Sequence, residues 1–254
     1  MLPASWAARR LWLWHAAPPA LTAAAAAAGA HARSAAATSP QQPARGLASL
    51  VFAAHGEPEE VLELRTGGRG GAGAPLGPGD VRLELVAAPI NPSDINTVQG
   101  KYPLKPELPG VPGHEGVMRV VETGAEVRGL RPGDRVVPLA SALGTWRAGG
   151  VFRAADWHAV PAELPDAAAA TMCINPPTAL SMLERFASLR PGDVVAQNGA
   201  TSAVGQHVIQ ICRAKGIRTV NLIRDRPDWE PTVEWLRGMG ADVVAREADV
   251  KAEL

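Results

Sequence analysis

The chain has 254 residues, enough for one large domain or two small ones with a buried core. Lys plus Arg and Asp plus Glu both number 25, so charge gives no indication of nucleic acid or of an acidic partner. The two cysteines, Cys173 and Cys212, provide neither a disulfide framework nor a CxxC metal knuckle, as expected in a reducing compartment. After the N-terminal segment no run of 18 residues is free of charge and proline and apolar throughout, so we predict no membrane-spanning helix there.

Residues 1–45 differ from the rest, because they contain four arginines and no acidic residue. The first acidic residue of the chain is Glu57. An Ala/Ser-rich, acid-free N-terminus of this kind is typical of a mitochondrial transit peptide. A secretory signal is the alternative, with Arg9 and Arg10 as its charged region and LWLWHAAPPAL as its apolar core. His15 and a proline pair interrupt that core, so we predict a transit peptide over this segment and a location in the mitochondrial matrix.

Residues 46–175 are predicted to form a compact β-rich domain. Short apolar runs bounded by glycine and proline are typical of strands, and the alternation in VRLEL indicates a half-buried one. The predicted strands lie in ASLVFAAHG, VLEL, VRLELVAAPI, VMRVVETG and DRVVPLA.

From residue 176 the pattern changes to alternating strands and helices. A long Ala-rich helix around a central proline pair, DAAAATMCINPPTALSMLERFASL, is predicted at the transition. The strands VVAQN, IRTVNLI and ADVVA then alternate with the helices QHVIQICRAKG and PTVEWLRGMG. This βαβαβ order predicts a parallel sheet, the first half of a doubly wound nucleotide domain over residues 176–254. Such a domain normally has two halves, so we predict that this one is incomplete where the chain stops at Leu254.

The loop GATSAVG, between the first strand and the first helix of that unit, is a weak dinucleotide-binding signature. Gly199 and Gly205 bracket it, and a tight turn there would let the backbone approach a pyrophosphate at a helix N-terminus. Ala203 occupies a position that is usually glycine. Taken alone, the loop favours a dinucleotide-binding site only slightly over an ordinary strand–helix turn.

The second strand ends in NLIRDRPD. NAD-binding domains carry an acidic residue for the ribose 2′-OH about 20 residues beyond the glycine loop. Here Arg224 and Arg226 flank Asp225, and two guanidinium groups could bind an adenosine 2′-phosphate, which favours NADPH over NADH. A solvated charged turn is the alternative.

Residues 90–116, INPSDINTVQGKYPLKPELPGVPGHEG, allow three interpretations: a metal site, an acid–base site or a turn-rich loop. His114 and Glu115 could bind zinc, but a catalytic zinc needs three protein ligands. Cys173 is a conceivable third ligand without a cysteine companion nearby, and NPSD offers no good one. We therefore predict no metal, and a hydrogen-bonded structural role for His114.

The order GHEG, RPGD, INPPTA, RPGD, GATSAVG resembles the medium-chain dehydrogenase/reductase superfamily. INPSDINTVQGKYP, LGTW, INPPTA and NLIRDRPD more specifically resemble the mitochondrial trans-2-enoyl-thioester reductases of its zinc-free branch, from about Leu50 to the C-terminus. The resemblance implies an α/β protein with a GroES-like catalytic domain and a Rossmann-type cofactor domain. It also implies NADPH-dependent reduction of trans-2-enoyl thioesters of CoA or acyl-carrier protein in mitochondrial fatty acid synthesis, by a homodimer.

The resemblance assigns roles by position. Tyr102, in Gly100-Lys101-Tyr102, lies at the position of the family's proton donor, and Asn175 lies at a cofactor-binding position. The implied pyrophosphate and adenosine-phosphate contacts are Thr201, Ser202, Ala203, Val204, Arg224, Asp225 and Arg226. The methyl group of Ala203 departs from the family's glycine and could crowd the approach of the cofactor.

Two other functions are consistent with the residues. A zinc-free NADPH quinone oxidoreductase shares the NP-x-D stretch and the nucleotide fold. A non-catalytic protein that binds a nucleotide or a partner is favoured by Ala203 and by the early stop, because family members are longer. Without the resemblance, Tyr102 is better explained as a packing aromatic. If the 254 residues are the whole protein, we expect poor solubility and little or no reductase activity.

Overall fold

The computed structural model describes residues 11–14, 47–67 and 74–251. They fall into two compact units, one of Pro40–Ile174 and one of Met1–Ser39 together with Asn175–Leu254. Strand β1, Leu11–Trp14, belongs to the second unit. Within the described ranges, every helix is too short or too polar to cross a membrane.

The unit Pro40–Ile174 contains two antiparallel sheets. Strands β2 and β3 form a two-stranded sheet, and the other five form a sheet of order β7-β4-β5-β6-β8. Three short helices, α1 to α3, connect them. The strands are β2 (Ala48–Phe52), β3 (Leu62–Thr66), β4 (Asp80–Ala87), β5 (Val117–Thr123), β6 (Arg135–Pro138), β7 (Gly149–Arg153) and β8 (Trp157–Ala159), and the helices are α1 (Pro58–Val61), α2 (Pro92–Val98) and α3 (Asp166–Ala170).

The main core of this unit lies against one face of the five-stranded sheet. Val81 and Leu83 of β4 are buried with Met118 and Val120 of β5. Residues two apart on a strand point to the same face, so the alternating apolar pattern produces this core directly. All five predicted strands are confirmed.

Four elements of this unit are absent from the prediction: the four-residue helix α1, helix α2 and strands β7 and β8. Strand β7 begins with Gly149 and Gly150, and glycine usually argues against a strand, but a side chain at Gly149 would collide with the backbone of Leu83 on β4. Strand β8 has only three residues, too few for a pattern. Helix α2 begins with Pro92 in a stretch that otherwise resembles a turn.

The second unit is a parallel sheet with helices between its strands. The sheet order is β1-β9-β10-β11. Adjacent strands pair in register, with Val194 of β9 opposite Arg218 and Val220 of β10 opposite Val243. The βαβαβ unit and the mixed α/β class are confirmed. The bounds are β9 (Val194–Gln197), β10 (Arg218–Ile223), β11 (Val243–Arg246), α4 (Asn175–Arg185), α5 (Ala203–Ala214), α6 (Trp229–Met239) and α7 (Glu247–Lys251).

Helix α5 contributes to two apolar clusters. Val208 and Cys212 pack with Val195 of β9, and Ile209 packs with Ile223 of β10 and Leu236 of α6. The start of α5 is thereby held at the end of β9, where the glycine loop lies.

The predicted long helix around a proline pair is wrong. The structure has two helices in its place, α3 and α4, and Pro176 and Pro177 lie in the first turn of α4. Proline has no N–H to donate to a preceding turn, so it is tolerated at a helix start and breaks a helix interior.

Strand β1 lies within the predicted transit peptide, where no strand or helix is predicted. It pairs in parallel with β9, from Leu11 opposite Val194 to Trp14 opposite Gln197. The edge of β9 presents backbone groups that any extended segment can bind, and tryptophan favours an extended backbone. The remainder of residues 1–45 lies outside the described residues, and the transit peptide stays a prediction.

Candidate active site

Tyr102 lies in a turn that follows α2. The carbonyl oxygen of Asn96 accepts hydrogen bonds from the amides of Lys101 at 2.8 Å and Tyr102 at 3.1 Å. Gly100 makes this turn possible, because its φ is +72° and a Cβ there would lie 2.8 Å from Cγ of His55. The sequence Gly-Lys-Tyr therefore fixes the backbone of the tyrosine.

The ring of Tyr102 packs on His114. The ring centroids are 5.2 Å apart and the planes are inclined at 54°. Tyr102 is half-buried, and its hydroxyl has no hydrogen-bond partner among the described residues. The phenol is thus held by its ring and its backbone while its proton stays available to a bound molecule.

The orientation of His114 follows from one hydrogen-bond chain. The hydroxyl of Thr97 donates to the carbonyl oxygen of Ser93 at 2.8 Å, and its Oγ1 lies 2.7 Å from Nε2 of the buried His114. A hydroxyl has one proton, so Thr97 accepts from His114 and Nε2 carries a proton. Nδ1 is buried without a hydrogen-bond partner in the described part of the chain. His114 is hydrogen-bonded, as the sequence predicts.

Asp94 links the start of α2 to the GHEG segment. One carboxylate oxygen accepts from the amide of Asn91 at 2.7 Å, in a capping box, and the other accepts from the amide of His114 at 2.9 Å. Asp94 is buried, and this burial raises its pKa. Its two oxygens, by accepting these hydrogen bonds, position the backbone on both sides of Tyr102.

Glu115 is almost completely buried, at 1% exposure, and both of its oxygens accept hydrogen bonds. Oε1 accepts from Nδ2 of Asn91 at 2.8 Å, and Oε2 accepts from the amides of Cys173 at 3.0 Å and Ile174 at 3.1 Å. Burial raises the pKa of Glu115 despite these bonds. Burial, with the nearby Glu115 charge, also raises the pKa of Cys173 to about 11, so this thiol is protonated at neutral pH.

The three zinc ligands considered from the sequence, His114, Glu115 and Cys173, do not form a cluster of free donors. In the described ranges no group of three or more His, Cys, Asp or Glu side chains is arranged to hold a metal ion. The GHE triplet instead contributes contacts that position Tyr102 and the helix before it: the His114 ring packs on Tyr102, and Glu115 bonds Asn91.

The glycine loop after β9 has the geometry of an anion site. Gly199 has φ +60°, and a Cβ there would contact nothing within 4 Å. Ser202 caps α5 by accepting from the amide of Gly205 at 3.1 Å. The amides of Ala203 and Val204, in the first turn, have no partner within the helix, so they can bind a phosphate.

Ala203 is the first residue of α5, and its methyl group is exposed to solvent. Crowding of a cofactor by this methyl group stays a prediction. Thr201 precedes the cap, and its carbonyl oxygen accepts from Nε2 of Gln206 at 2.9 Å. Asn175 is the first residue of α4, directly after the end of the unit Pro40–Ile174.

A row of buried polar side chains, which the sequence does not predict, lies below the loop. Nε2 of Gln197 donates to the carbonyl oxygen of Gly205 at 3.0 Å and to Asn221 at 2.8 Å. Nδ2 of Asn221 donates to the hydroxyl of Thr219 at 2.8 Å. The sequence signal is polar residues among apolar neighbours, Gln197 at the end of VVAQ and Thr219 and Asn221 in RTVNLI. Through Gln197 the row holds the first turn of α5 on the sheet.

The structure brings Arg224, Asp225 and Arg226 to the end of β10, but it does not present two free guanidinium groups there. Arg226 is bonded to both oxygens of Asp228, at 2.7 and 3.1 Å, and this bond lowers the pKa of Asp228. Arg224 is exposed and forms no ion pair within the described residues. Asp225 accepts a hydrogen bond at 2.9 Å from Arg246, a residue outside the predicted motifs.

Replacing Gly205 by alanine is expected to lower both stability and phosphate affinity. A Cβ there would lie 2.7 Å from Cα of Ala200, so the backbone must shift, at a cost of about 1–3 kcal/mol. Thermal unfolding and binding of 2′,5′-ADP are the measurements. Gly238→Ala in α6 is the matched control, because a Cβ there meets nothing within 4 Å and alanine favours a helix. Equal unfolding temperatures for the two variants would contradict the tight approach.

Comparison with known proteins agrees with this arrangement. Residues 77–160 match the alcohol dehydrogenase GroES-like domain. The human mitochondrial enoyl-[acyl-carrier-protein] reductase is 44% identical over 244 residues, 94% of this chain and 64% of that protein. The solved Etr1p/NADP/crotonyl-CoA complex has a TM-score of 0.75 and 33% identity, over 80% of this chain and 61% of that one. The mitochondrial Etr1p/Etr2p heterodimer from Candida tropicalis gives the same values.

A GroES-like unit followed by a βαβαβ nucleotide unit defines the medium-chain dehydrogenase/reductase class. Over most of its length the chain is similar in sequence to the mitochondrial enoyl-[acyl-carrier-protein] reductases, which confirms the resemblance drawn from its motifs. The names of these relatives agree with the mitochondrial location predicted from the N-terminus. The chain spans 53–64% of the length of the human and rat relatives.

Proposed function

We propose that the protein is an NADPH-dependent trans-2-enoyl-thioester reductase of the mitochondrial matrix. The observation that carries the proposal is Tyr102, a half-buried phenol with a fixed backbone whose hydroxyl has no partner in the described part of the chain. The relatives named enoyl-[acyl-carrier-protein] reductase, and a structural neighbour solved with NADP and crotonyl-CoA, support the reaction and the cofactor.

The reaction needs two events on the substrate. A hydride at the β carbon, which the nicotinamide supplies when NADPH is bound, moves an electron pair onto the thioester oxygen. The resulting enolate then takes a proton at the α carbon. A phenol holds its proton in water at neutral pH but gives it up to a well-placed enolate. We assign this proton to the Tyr102 hydroxyl, and the His114 ring positions the phenol.

The residues of the second unit fit the adenosine half of the cofactor. Gly199 has no side chain and open space beside it, and the amides at the start of α5 are available. Both features suit the pyrophosphate. The exposed Arg224 suits the 2′-phosphate. The proposed cofactor contacts are Asn175, Thr201, Ser202, Ala203, Val204, Arg224, Asp225 and Arg226.

The thioester carrier and the assembly complete the proposal. Crotonyl-CoA in the neighbouring complex supports a CoA thioester, and the names of the relatives support acyl-carrier protein as a second carrier. The Etr1p/Etr2p heterodimer supports an assembly of two chains, and we expect a homodimer here. Sedimentation of the purified protein measures the assembly.

The proposed reaction is tested by offering NADPH with crotonyl-CoA and, separately, with a quinone. We expect NADPH oxidation with crotonyl-CoA and none with the quinone. Turnover of the quinone without enoyl reduction would contradict the proposal and favour a quinone oxidoreductase. Saturable binding of NADPH, followed by its fluorescence, is a separate readout, and its absence would favour a non-catalytic protein.

A further inference from the structure

Three arginines and two aspartates meet at the ends of two adjacent strands. Ile223, the last residue of β10, is the register partner of Arg246, the last residue of β11. The ion pairs are Arg246 with Asp225 and Arg226 with Asp228. The two ion pairs neutralise two positive and two negative charges, so Arg224 is the arginine of this cluster without an ion pair among the described residues. The acidic side chains of Glu230 and Asp249 also act electrostatically on Arg246.

Arg246 is held in place by two contacts of different kinds. Its Nε donates to Oδ1 of Asp225 at 2.9 Å, and its guanidinium carbon lies 4.0 Å from the ring centroid of Trp229, the first residue of α6. A guanidinium group can stack on an aromatic ring through its face and donate through its edge at the same time. The stack therefore fixes the direction from which Arg246 binds the carboxylate.

This pair contributes little to stability, because both side chains are exposed, Asp225 at 71% and Arg246 at 39%. Its importance lies in the charge presented to a ligand. An acidic side chain at the end of the second strand accepts the ribose 2′-OH in NAD-binding domains, and it repels a 2′-phosphate. Asp225 occupies this region.

We propose that Arg246 is a positioning residue for cofactor selectivity, which neutralises and holds Asp225 so that the strand end accepts a 2′-phosphomonoester beside Arg224. The proposal rests on the proposed function, since that function supplies NADPH as the cofactor. It identifies a determinant of selectivity on the third strand, outside the second-strand motif NLIRDRPD.

The experiment compares binding of 2′,5′-ADP and 5′-AMP to the 254-residue chain by calorimetry at pH 8 and low salt. At this pH the 2′-phosphate is a dianion, because its second pKa is about 6. The parent is expected to prefer 2′,5′-ADP. Arg246→Gln should reduce that preference on the order of tenfold, through weaker binding of 2′,5′-ADP, because it exposes the Asp225 charge. The reduction should shrink at high salt.

Asp225→Asn in the Arg246→Gln background should restore the preference, since the repelling charge is gone. Arg237→Gln, which removes an exposed arginine from the last turn of α6, is the matched control and should leave the preference unchanged. Equal weakening of both ligands by Arg246→Gln, or failure of Asp225→Asn to rescue, would overturn the proposal. So would an unchanged preference in Arg246→Gln, and this outcome leaves the proposed function intact. A parent chain that binds neither ligand contradicts the proposed cofactor as well.

Discussion

Replacing Tyr102 by phenylalanine is expected to lower the kcat of enoyl-thioester reduction by tens-fold or more while NADPH binding stays close to that of the parent. A positioned general acid contributes about 10²–10⁴-fold, and water can replace only part of that contribution. The ring of phenylalanine keeps the contact with His114, and the hydroxyl that is lost makes no hydrogen bond with the described residues. The substitution thus removes the proton donor with little change in packing.

Two controls separate the hydroxyl from the ring. Tyr102→Leu removes both, so it should lose the His114 contact and unfold at a lower temperature, whereas Tyr102→Phe should not. Thr97→Val removes the acceptor of the His114 Nε2 proton, so we expect a lower kcat with the hydroxyl of Tyr102 still present. Turnover of Tyr102→Phe near the parent value would show that the proton comes from elsewhere.

The elements that could be predicted are those with a pattern of their own. VRLEL alternates along β4, and the strand–loop–helix order around Gly199 and Gly205 leaves few topologies. Helix α2 could not be read from periodicity, because its seven residues begin at Pro92. Its signal is the capping box, Asn91 followed three residues later by Asp94, which a search for strands and turns passes over.

The site was predictable only in part, because its residues act through tertiary contacts. A single tyrosine has no local signature, so only the family resemblance points to Tyr102. The sequence allows Glu115 as a metal ligand, whereas its oxygens accept hydrogen bonds from Asn91 and from backbone amides 58 and 59 residues away. Arg246 lies 21 residues beyond Asp225, and only the parallel pairing of β10 and β11 brings the two together.

Replacing Glu115 by alanine is expected to destabilise the Pro40–Ile174 unit by about 3 kcal/mol. The change removes the acceptor of three donors at a buried position: Nδ2 of Asn91 and the amides of Cys173 and Ile174. Each buried donor that loses its acceptor costs about 1–3 kcal/mol, and entering water offsets part of the sum. The free energy of unfolding in urea is the measurement.

Glu115→Gln separates the hydrogen bonds from the charge. Glutamine keeps one acceptor and turns one oxygen into a donor, so we expect a smaller loss, of about 1–2 kcal/mol. Glu126→Ala, at an exposed turn, is the matched control and should change stability by less than about 0.5 kcal/mol. A loss for Glu115→Ala no larger than for this control would contradict the structural role of the carboxylate.

The pH dependence of stability supplies an independent check on the same carboxyl group. Burial raises the pKa of Glu115, so the folded protein holds this proton at pH values where the unfolded chain has released it. Stability therefore falls as pH rises from the unfolded pKa through the folded one. Glu115→Gln should remove this part of the slope and leave the part due to Asp94, whose pKa is also raised by burial. An unchanged slope would show that Glu115 does not titrate differently in the folded protein, and the cost of Glu115→Ala would then come from its lost hydrogen bonds alone.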